Sequence, residues 1–189
     1  IPEEIDFVLV AVPRNVAPII LKQCIEKNVA GAAFFTSGFA ETATAEGHEL
    51  QETITQLARD SGLALIGPNC MGLYNPEVGV RFGPTQPSGF EGNVSFVSQS
   101  GAHAGDFVEA SHEAGVMLGK AVSFGNGIVL ENADYLEYFA DDPKTEYLAM
   151  YVEGLQDGQR FFSALREATI HKPVVLWKGG RTEAGGRAT

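Results

Sequence analysis

Short apolar runs alternate with stretches of helical period along the whole chain, a pattern that predicts an α/β fold with a mainly parallel sheet. Ile5 to Val12 is the first expected strand, ended by Pro13. A helix is expected over about 16–27, with Ile19, Ile20, Cys24 and Ile25 facing inward. Gly31 to Thr36 follows as a strand and stops at Ser37-Gly38. The next helix runs over about 43–61, and Gly62 ends it as a left-handed cap. Leu63 to Ile66 is a short strand leading into Gly67-Pro68-Asn69-Cys70-Met71-Gly72.

Residues of about 74–92 hold Pro76, Pro84, Pro87 and several glycines without a period, which reads as a linker or hairpin. The alternation then restarts, with strands at 94–98, 119–124, 146–152 and 173–177 and helices at 102–114, 133–140 and 158–170. Asp141-Asp142-Pro143 breaks the middle helix, because proline cannot continue one. This organisation predicts a first domain over 1–82, a linker over 83–92 and a small doubly wound domain over 93–189. Ligands of the second domain should gather at the carboxyl ends of its strands. The first unit opens without a Gly-rich strand–turn–helix, and the last strand runs into Lys178-Gly179-Gly180-Arg181-Thr182 with no element after it. The expectation is a piece of a longer chain.

Composition narrows the classes. An apolar share of 44% with 20% charged residues is that of an ordinary globular protein. A net charge of −11 opposes nucleic-acid binding, which needs lysine and arginine to displace counterions. No uninterrupted apolar run approaches the ~18 residues of a membrane span, and Ile1-Pro2-Glu3-Glu4 lacks the pattern of a signal peptide. Cys24 and Cys70 are too few for a disulfide framework or a zinc cluster, so no metal site is read and a reducing, cytoplasmic setting is expected.

The candidate chemistry lies where strands end. Val94 to Ser98 breaks into Gln99-Ser100-Gly101 and then a helix, so amides of the helix start and serine hydroxyls converge on one spot. Such a turn is an anion cradle without a Walker lysine. Glu153 stands at another strand end, where a carboxylate could fix an imidazole N–H. Cys70 alone reads as a small buried apolar residue and not as a nucleophile.

Taken in order, the turns carry a family resemblance. The segments are Ile66-Gly67-Pro68-Asn69-Cys70-Met71-Gly72 with Asn75-Pro76, Val97-Ser98-Gln99-Ser100-Gly101-Ala102, and Val122-Ser123-Phe124-Gly125-Asn126. Asp134 through Pro143, Tyr151-Val152-Glu153-Gly154 and Lys172 through Thr182 complete the series. Over essentially its whole length the chain resembles the α subunit, or α-type half, of NDP-forming acyl-CoA and succinyl-CoA synthetases. The resemblance implies part of a Rossmann-like CoA-binding domain followed by a flavodoxin-like, succinyl-CoA synthetase-like domain. It implies reversible conversion of acyl-CoA, phosphate and NDP into acid, CoA and NTP through a phosphohistidine. It also implies an ATP-grasp β-type partner, in the same chain or another, holding ATP or ADP with Mg.

Residue by residue, Val12, Pro13, Thr36, Ser37 and Gly38 match the loops that line coenzyme A, and Asn69 and Cys70 match the turn near the thioester. Ser100 and Gly101 match the phosphate cradle, and Glu153 the carboxylate that orients the phosphorylated histidine. That histidine is expected after Arg181-Thr182. His103, in the first turn of a helix, occupies the place of the cradle and not of the mobile loop; His48, His112 and His171 read as surface residues of helices. Val129-Leu130-Glu131-Asn132 departs from the acidic run of many relatives. An alternative is a CoA-sensing regulatory module of a protein acyltransferase, without ligase activity. A plain Rossmann-like or flavodoxin-like nucleotide binder would be expected to show Gly-x-Gly-x-x-Gly, which the chain lacks.

Overall fold

The strands form two separate sheets in the computed structural model, which describes residues 2–180. The Arg181-Thr182 end of the last motif lies outside those residues. The chain divides into two units, Ile1–Gly72 with Phe124–Leu130, and Leu73–Ser123 with Glu131–Thr189.

The first unit holds β1 (Phe7–Val10), α1 (Ala17–Glu26), β2 (Gly31–Phe34), a short 3-10 turn (Ala40–Thr42), α2 (Ala45–Ser61) and β3 (Ala64–Ile66). Its strands run parallel in the order β1-β2-β3. The central strand, Gly-Ala-Ala-Phe, is buried at every position, as expected where both faces of a parallel sheet are covered. Pro18 sits in the first turn of α1, where its missing N–H is no loss. That helix turns Ala17, Leu21 and Cys24 inward, one stripe at helical spacing. Ile19, expected inside, is 56% exposed because it lies on the opposite face. Gly62 closes α2 with φ of +72°, the left-handed cap the sequence predicts. Ile128, from the later segment, joins Val10, Leu21, Phe34, Phe39, Ile54 and Leu65 in the core.

The second sheet contains β4 (Gly72–Tyr74), β5 (Val94–Ser98), β6 (Leu118–Ser123), β7 (Tyr147–Val152) and β8 (Val174–Lys178) in the order β4-β6-β5-β7-β8. Pairs β5–β6, β5–β7 and β7–β8 are parallel. The connecting helices are α3 (Gly101–Glu113), α4 (Asn132–Asp141) and α5 (Gly158–His171). α4 packs on α5, whereas α3 lies against β5 and β6. From the central β5 the chain leaves toward β6 and later returns toward β7, so the strand order reverses between β5 and β7. That reversal opens a crevice at the carboxyl ends of these two strands.

The stretch 74–92 is more ordered than its lack of period suggests. Asn75 and Val80 form an antiparallel bridge. The buried Gln86 carboxamide oxygen accepts the N–H groups of Phe82 and Gly83, and the Tyr74 hydroxyl donates to Pro87 O at 2.9 Å. Side-chain bonds to backbone hold this segment, and such bonds leave no hydrophobic period. Among the described residues no helix is long and apolar enough to cross a membrane.

Candidate functional site

Ser98, the last residue of β5, begins the crevice. Its buried hydroxyl donates to Ser100 O at 2.7 Å and accepts the Ser100 N–H at 3.1 Å, which tightens the strand-to-helix turn. Ser100 is the N-cap of α3, and its Oγ accepts the N–H of His103 at 3.3 Å. The amides of Gly101 and Ala102, in the first turn, have no intrahelical acceptor and carry the positive end of the helix dipole. Gln99 ties this turn to the end of β7: its N–H donates to Tyr151 O, and its Oε1 accepts the N–H groups of Glu153 and Gly154.

Glu153 thus enters the same crevice from the neighbouring strand. Alternation along β7 and just beyond it puts Tyr151 and Glu153 on one side, and the Tyr151 hydroxyl donates to the Glu153 carboxylate. Burial pushes the Glu153 carboxyl above the ordinary carboxylate value, only partly offset by that bond and by the charges of His103 and Lys178. Lys178, at the end of β8, donates from Nζ to Glu153 O at 2.6 Å and to Gly179 O. A side chain at Gly179 would run into the Tyr151 hydroxyl, 2.7 Å from an ideal Cβ. The structure therefore brings Ser100, Gly101 and Glu153 to one edge. It adds Gln99, His103, Tyr151, Trp177 and Lys178, which the sequence does not single out as partners.

His103 projects from α3 onto the ends of β7 and β8. Its Nδ1 lies 2.9 Å from Ser100 Oγ. The ring stacks on Tyr151 at 4.3 Å with planes 7° apart, and meets Trp177 edge-on at 5.2 Å. His48, His112 and His171 are exposed on their helices, as expected.

In the first unit the strand ends form a second edge. The Thr36 hydroxyl donates to Val12 O at 2.7 Å and accepts the Val12 N–H at 3.3 Å, joining the loops after β1 and β2. The Asn69 N–H donates to Thr36 O at 3.0 Å, which adds the turn after β3. Pro13, Ser37 and Asn69 are exposed there. Gly38, with φ of +101°, packs so closely on Arg14 that an ideal Cβ would lie 2.8 Å from Cδ. Glu41 already holds the N–H groups of Gly38 and Phe39. Burial opposes its charge, but the bonds from Asn126 and these amides outweigh that and keep the carboxyl below its ordinary range. Asn126 Nδ2 reaches both Glu41 Oε2 at 2.7 Å and Gln51 Oε1 at 2.9 Å.

Cys70 faces inward from the same turn. Its Sγ–H donates weakly to Phe34 O at 3.4 Å, and burial pushes its thiol up to about 12. A thiol so seldom ionised at neutral pH is no nucleophile. Among the described residues no group of three or more His, Cys, Asp or Glu side chains converges to hold a metal ion.

Comparison with known proteins gives the chain its relatives. Over its whole length the chain is 36% identical to acetate–CoA ligase [ADP-forming] I of Archaeoglobus fulgidus and covers 27% of it. It is 36% identical to the α subunit of acetate–CoA ligase [ADP-forming] II of Pyrococcus furiosus and covers 41% of that subunit. The solved dinucleotide-forming acetyl-coenzyme A synthetase 1 of Ca. Korarchaeum cryptofilum, in complex with phosphate and ADP, superposes with a TM-score of 0.90. That structure is 31% identical and matches all of this chain, which covers 40% of it. The chain thus spans between about a quarter and two fifths of the length of these relatives. Residues 1–76 match the CoA binding domain family. Residues 91–189 match a second family, and the chain belongs to it: the succinyl-CoA ligase like flavodoxin domain family.

Proposed function

We propose that this chain is the α-type part of an NDP-forming acyl-CoA synthetase, which interconverts acyl-CoA, phosphate and NDP with acid, CoA and NTP. The observation that carries the reading is the tie between the Ser100-capped start of α3 and the Glu153 end of β7, where Gln99 Oε1 accepts the Glu153 N–H at the reversal between β5 and β7. A phosphorylated imidazole needs donors around its phosphoryl oxygens and an acceptor for its remaining N–H. The amides of Gly101 and Ala102, the Ser100 hydroxyl and the helix dipole supply the first. Glu153 supplies the second: by accepting the N–H of the incoming histidine, it leaves the other ring nitrogen with a free pair for the phosphorus. In the direction from acyl-CoA, a phosphate oxygen displaces the CoA thiolate from the acyl carbon. The imidazole nitrogen then takes the phosphoryl group as the phosphorus–oxygen bond to the carboxylate breaks and the acid leaves, and an NDP oxygen takes that group from nitrogen to give NTP. The histidine belongs to a part of the protein outside the described residues. The nucleotide and its Mg belong to an ATP-grasp partner, and the setting is cytoplasmic.

The first unit supports a role toward the acyl-CoA. Its exposed Pro13, Ser37 and Asn69, backed by Val12, Thr36 and Gly38, offer neutral contacts at the ends of three parallel strands. The amides of Gly38 and Phe39 are held by the charged Glu41, and Arg14 is held by Glu46 at the same edge. These residues therefore fit the uncharged arm and thioester end of coenzyme A, and not its phosphate groups. Coenzyme A, when bound, supplies the thiol that is acylated. Asn69 and the walls around Cys70 then orient the thioester carbonyl while the buried thiol of Cys70 stays out of the chemistry.

The test uses the full-length protein with its ATP-grasp part. Incubation with γ-labelled ATP, or with acyl-CoA and labelled phosphate, should give an acid-labile, base-stable phosphoprotein. No label from either direction would sink the proposal.

A further inference from the structure

Glu153 lies one residue past β7, where the ladders have ended: Tyr151 is paired with Ser98 in β5, and Val152 with Lys178 in β8. Side chains take over the hydrogen bonding of its peptide groups. Gln99 Oε1 accepts the Glu153 N–H at 2.5 Å and the Gly154 N–H at 2.9 Å, and Lys178 Nζ donates to Glu153 O at 2.6 Å. A carboxamide oxygen has two lone pairs, so the two N–H groups saturate it. They also fix which end of the amide faces the turn, since Nε2 there would set donor against donor. The buried Asn132, at the start of α4, adds a bond from Nδ2 to Gly154 O at 3.1 Å.

The same residue borders the phosphate cradle. Gln99 immediately precedes Ser100, the N-cap of α3, and its own N–H donates to Tyr151 O at 3.1 Å. The cradle does not depend on the Gln99 side chain, because Ser98 Oγ shapes that turn through its two bonds to Ser100. We propose that Gln99 is a positioning residue that holds the Glu153 peptide so that its carboxylate meets the incoming histidine, a role that rests on the phosphohistidine reading above. Ser100 and Gly101 hold the phosphoryl oxygens, and Gln99 sets where the acceptor for the imidazole N–H stands relative to them. Without its oxygen, the Glu153–Gly154 turn keeps Lys178 and Asn132 but loses its side-chain tie to the turn after β5. Water can then take the freed N–H groups, because Glu153 is half-buried and Gly154 exposed. The fold survives while the carboxylate loses its place.

The experiment follows phosphoprotein formation from acetyl-CoA and labelled phosphate, over a range of phosphate concentrations, in the full-length protein with its ATP-grasp part. Gln99→Met keeps the length of the side chain and removes the acceptor. Its maximal rate should fall at least about tenfold, since about 1 Å of misplacement can cost a hundredfold. Half-saturating phosphate should stay within about twofold of wild type, because the cradle is intact. A turn that had merely collapsed would raise it, as Ser100 is the next residue. Gln99→Asn, an amide too short to reach both N–H groups, should behave in the same way and serves if methionine disturbs the fold. In a Glu153→Ala background, Gln99→Met should slow the reaction by less than about twofold more. Three results overturn the inference and leave the phosphohistidine reading standing: a wild-type maximal rate in both Gln99 variants, a raised half-saturating phosphate at an unchanged maximal rate, or an equal slowing with and without Glu153. If wild type takes no label from this mixture or from γ-labelled ATP, that reading fails and takes the inference with it.

Discussion

The turn after β3 and the turn after β5 both leave a parallel strand at its carboxyl end, yet one is closed and the other open. In Gly67-Pro68-Asn69-Cys70, the carbonyls of Gly67 and Pro68 accept the N–H groups of Ile128 and Asn126. The Asn69 N–H is held by Thr36 O, and the Cys70 thiol points into the core. In Ser98-Gln99-Ser100-Gly101 a helix begins at once, and the serine bonds shape the turn without covering its first amides. A helix start is what keeps donors available: its geometry denies them a local acceptor. A turn that another segment of chain packs against offers only its exposed side chains, here Asn69.

The largest expected effect breaks the closed turn. An ideal Cβ at Gly125 would overlap Asn69 O and Pro68 O, at a φ of +53°. Gly125→Ala should cost about 4 kcal/mol in urea unfolding, from backbone overlap plus left-handed strain. Gly154→Ala, beside the open turn, meets nothing within 4 Å and should be nearly neutral. Equal effects at the two glycines would erase the contrast.

The next tests the opposite, amino end of the second sheet, which is closed by charge. Asp142 accepts Lys120 Nζ at 2.6 Å and the Thr145 hydroxyl at 2.7 Å, and Thr145 meets Ser95 Oγ at 2.7 Å. Burial works against the Asp142 charge, but these bonds outweigh it and hold the carboxyl below its ordinary range. Asp142→Ala should cost about 3 kcal/mol, because it leaves the Lys120 charge partly buried and unpaired. A depressed folded pKa contributes stability above the unfolded value and loses it as pH falls through the folded one. Wild type should therefore lose stability relative to the variant as pH falls below the ordinary aspartate range, and a constant difference there would contradict this assignment.

A smaller loss is expected from Asn126→Ala, about 1.5 kcal/mol for two partly exposed bonds to Glu41 and Gln51. Glu41 should then titrate closer to its ordinary value in carboxylate NMR, since the Asn126 bond helps to lower it. The smallest effect is a silence. Burial raises the thiols of both Cys24 and Cys70, so in the folded chain they should react with a thiol reagent only as fast as it opens. Fast labelling of Cys70 would reopen its case as a nucleophile.

Most of the fold was legible in the sequence because its elements are local. The strand over 94–98 lies between a glycine-bearing approach and a serine turn, and the structure begins and ends it at the same residues. Pro18, Gly62 and Ser100 mark helix ends by well-defined backbone chemistry. β4 escaped because three residues, Gly72–Tyr74, are too few to show a period. Ile19 misled because an apolar residue on an exposed face is common and looks the same in sequence as an inward one. In the crevice, Ser100 and Glu153 could be named from strand-end motifs. The contact of His103 with Ser100 follows helical spacing and was within reach. Its stacking on Tyr151 and Trp177 depends on the register of β7 with β8, where Tyr151 lies opposite Trp177, and no local pattern encodes that. The partners of Asn126, Glu41 and Gln51, are likewise distant in sequence and polar.

The contrast between the two turns is tested most directly by phosphoprotein formation from acyl-CoA and labelled phosphate in full-length Ser100→Ala and Cys70→Ala proteins. The account predicts at least a tenfold slower rate for Ser100→Ala, the size of losing one charge-assisted hydrogen bond, and a near wild-type rate for Cys70→Ala. A Cys70→Ala protein that forms no phosphoprotein while Ser100→Ala labels normally would contradict it.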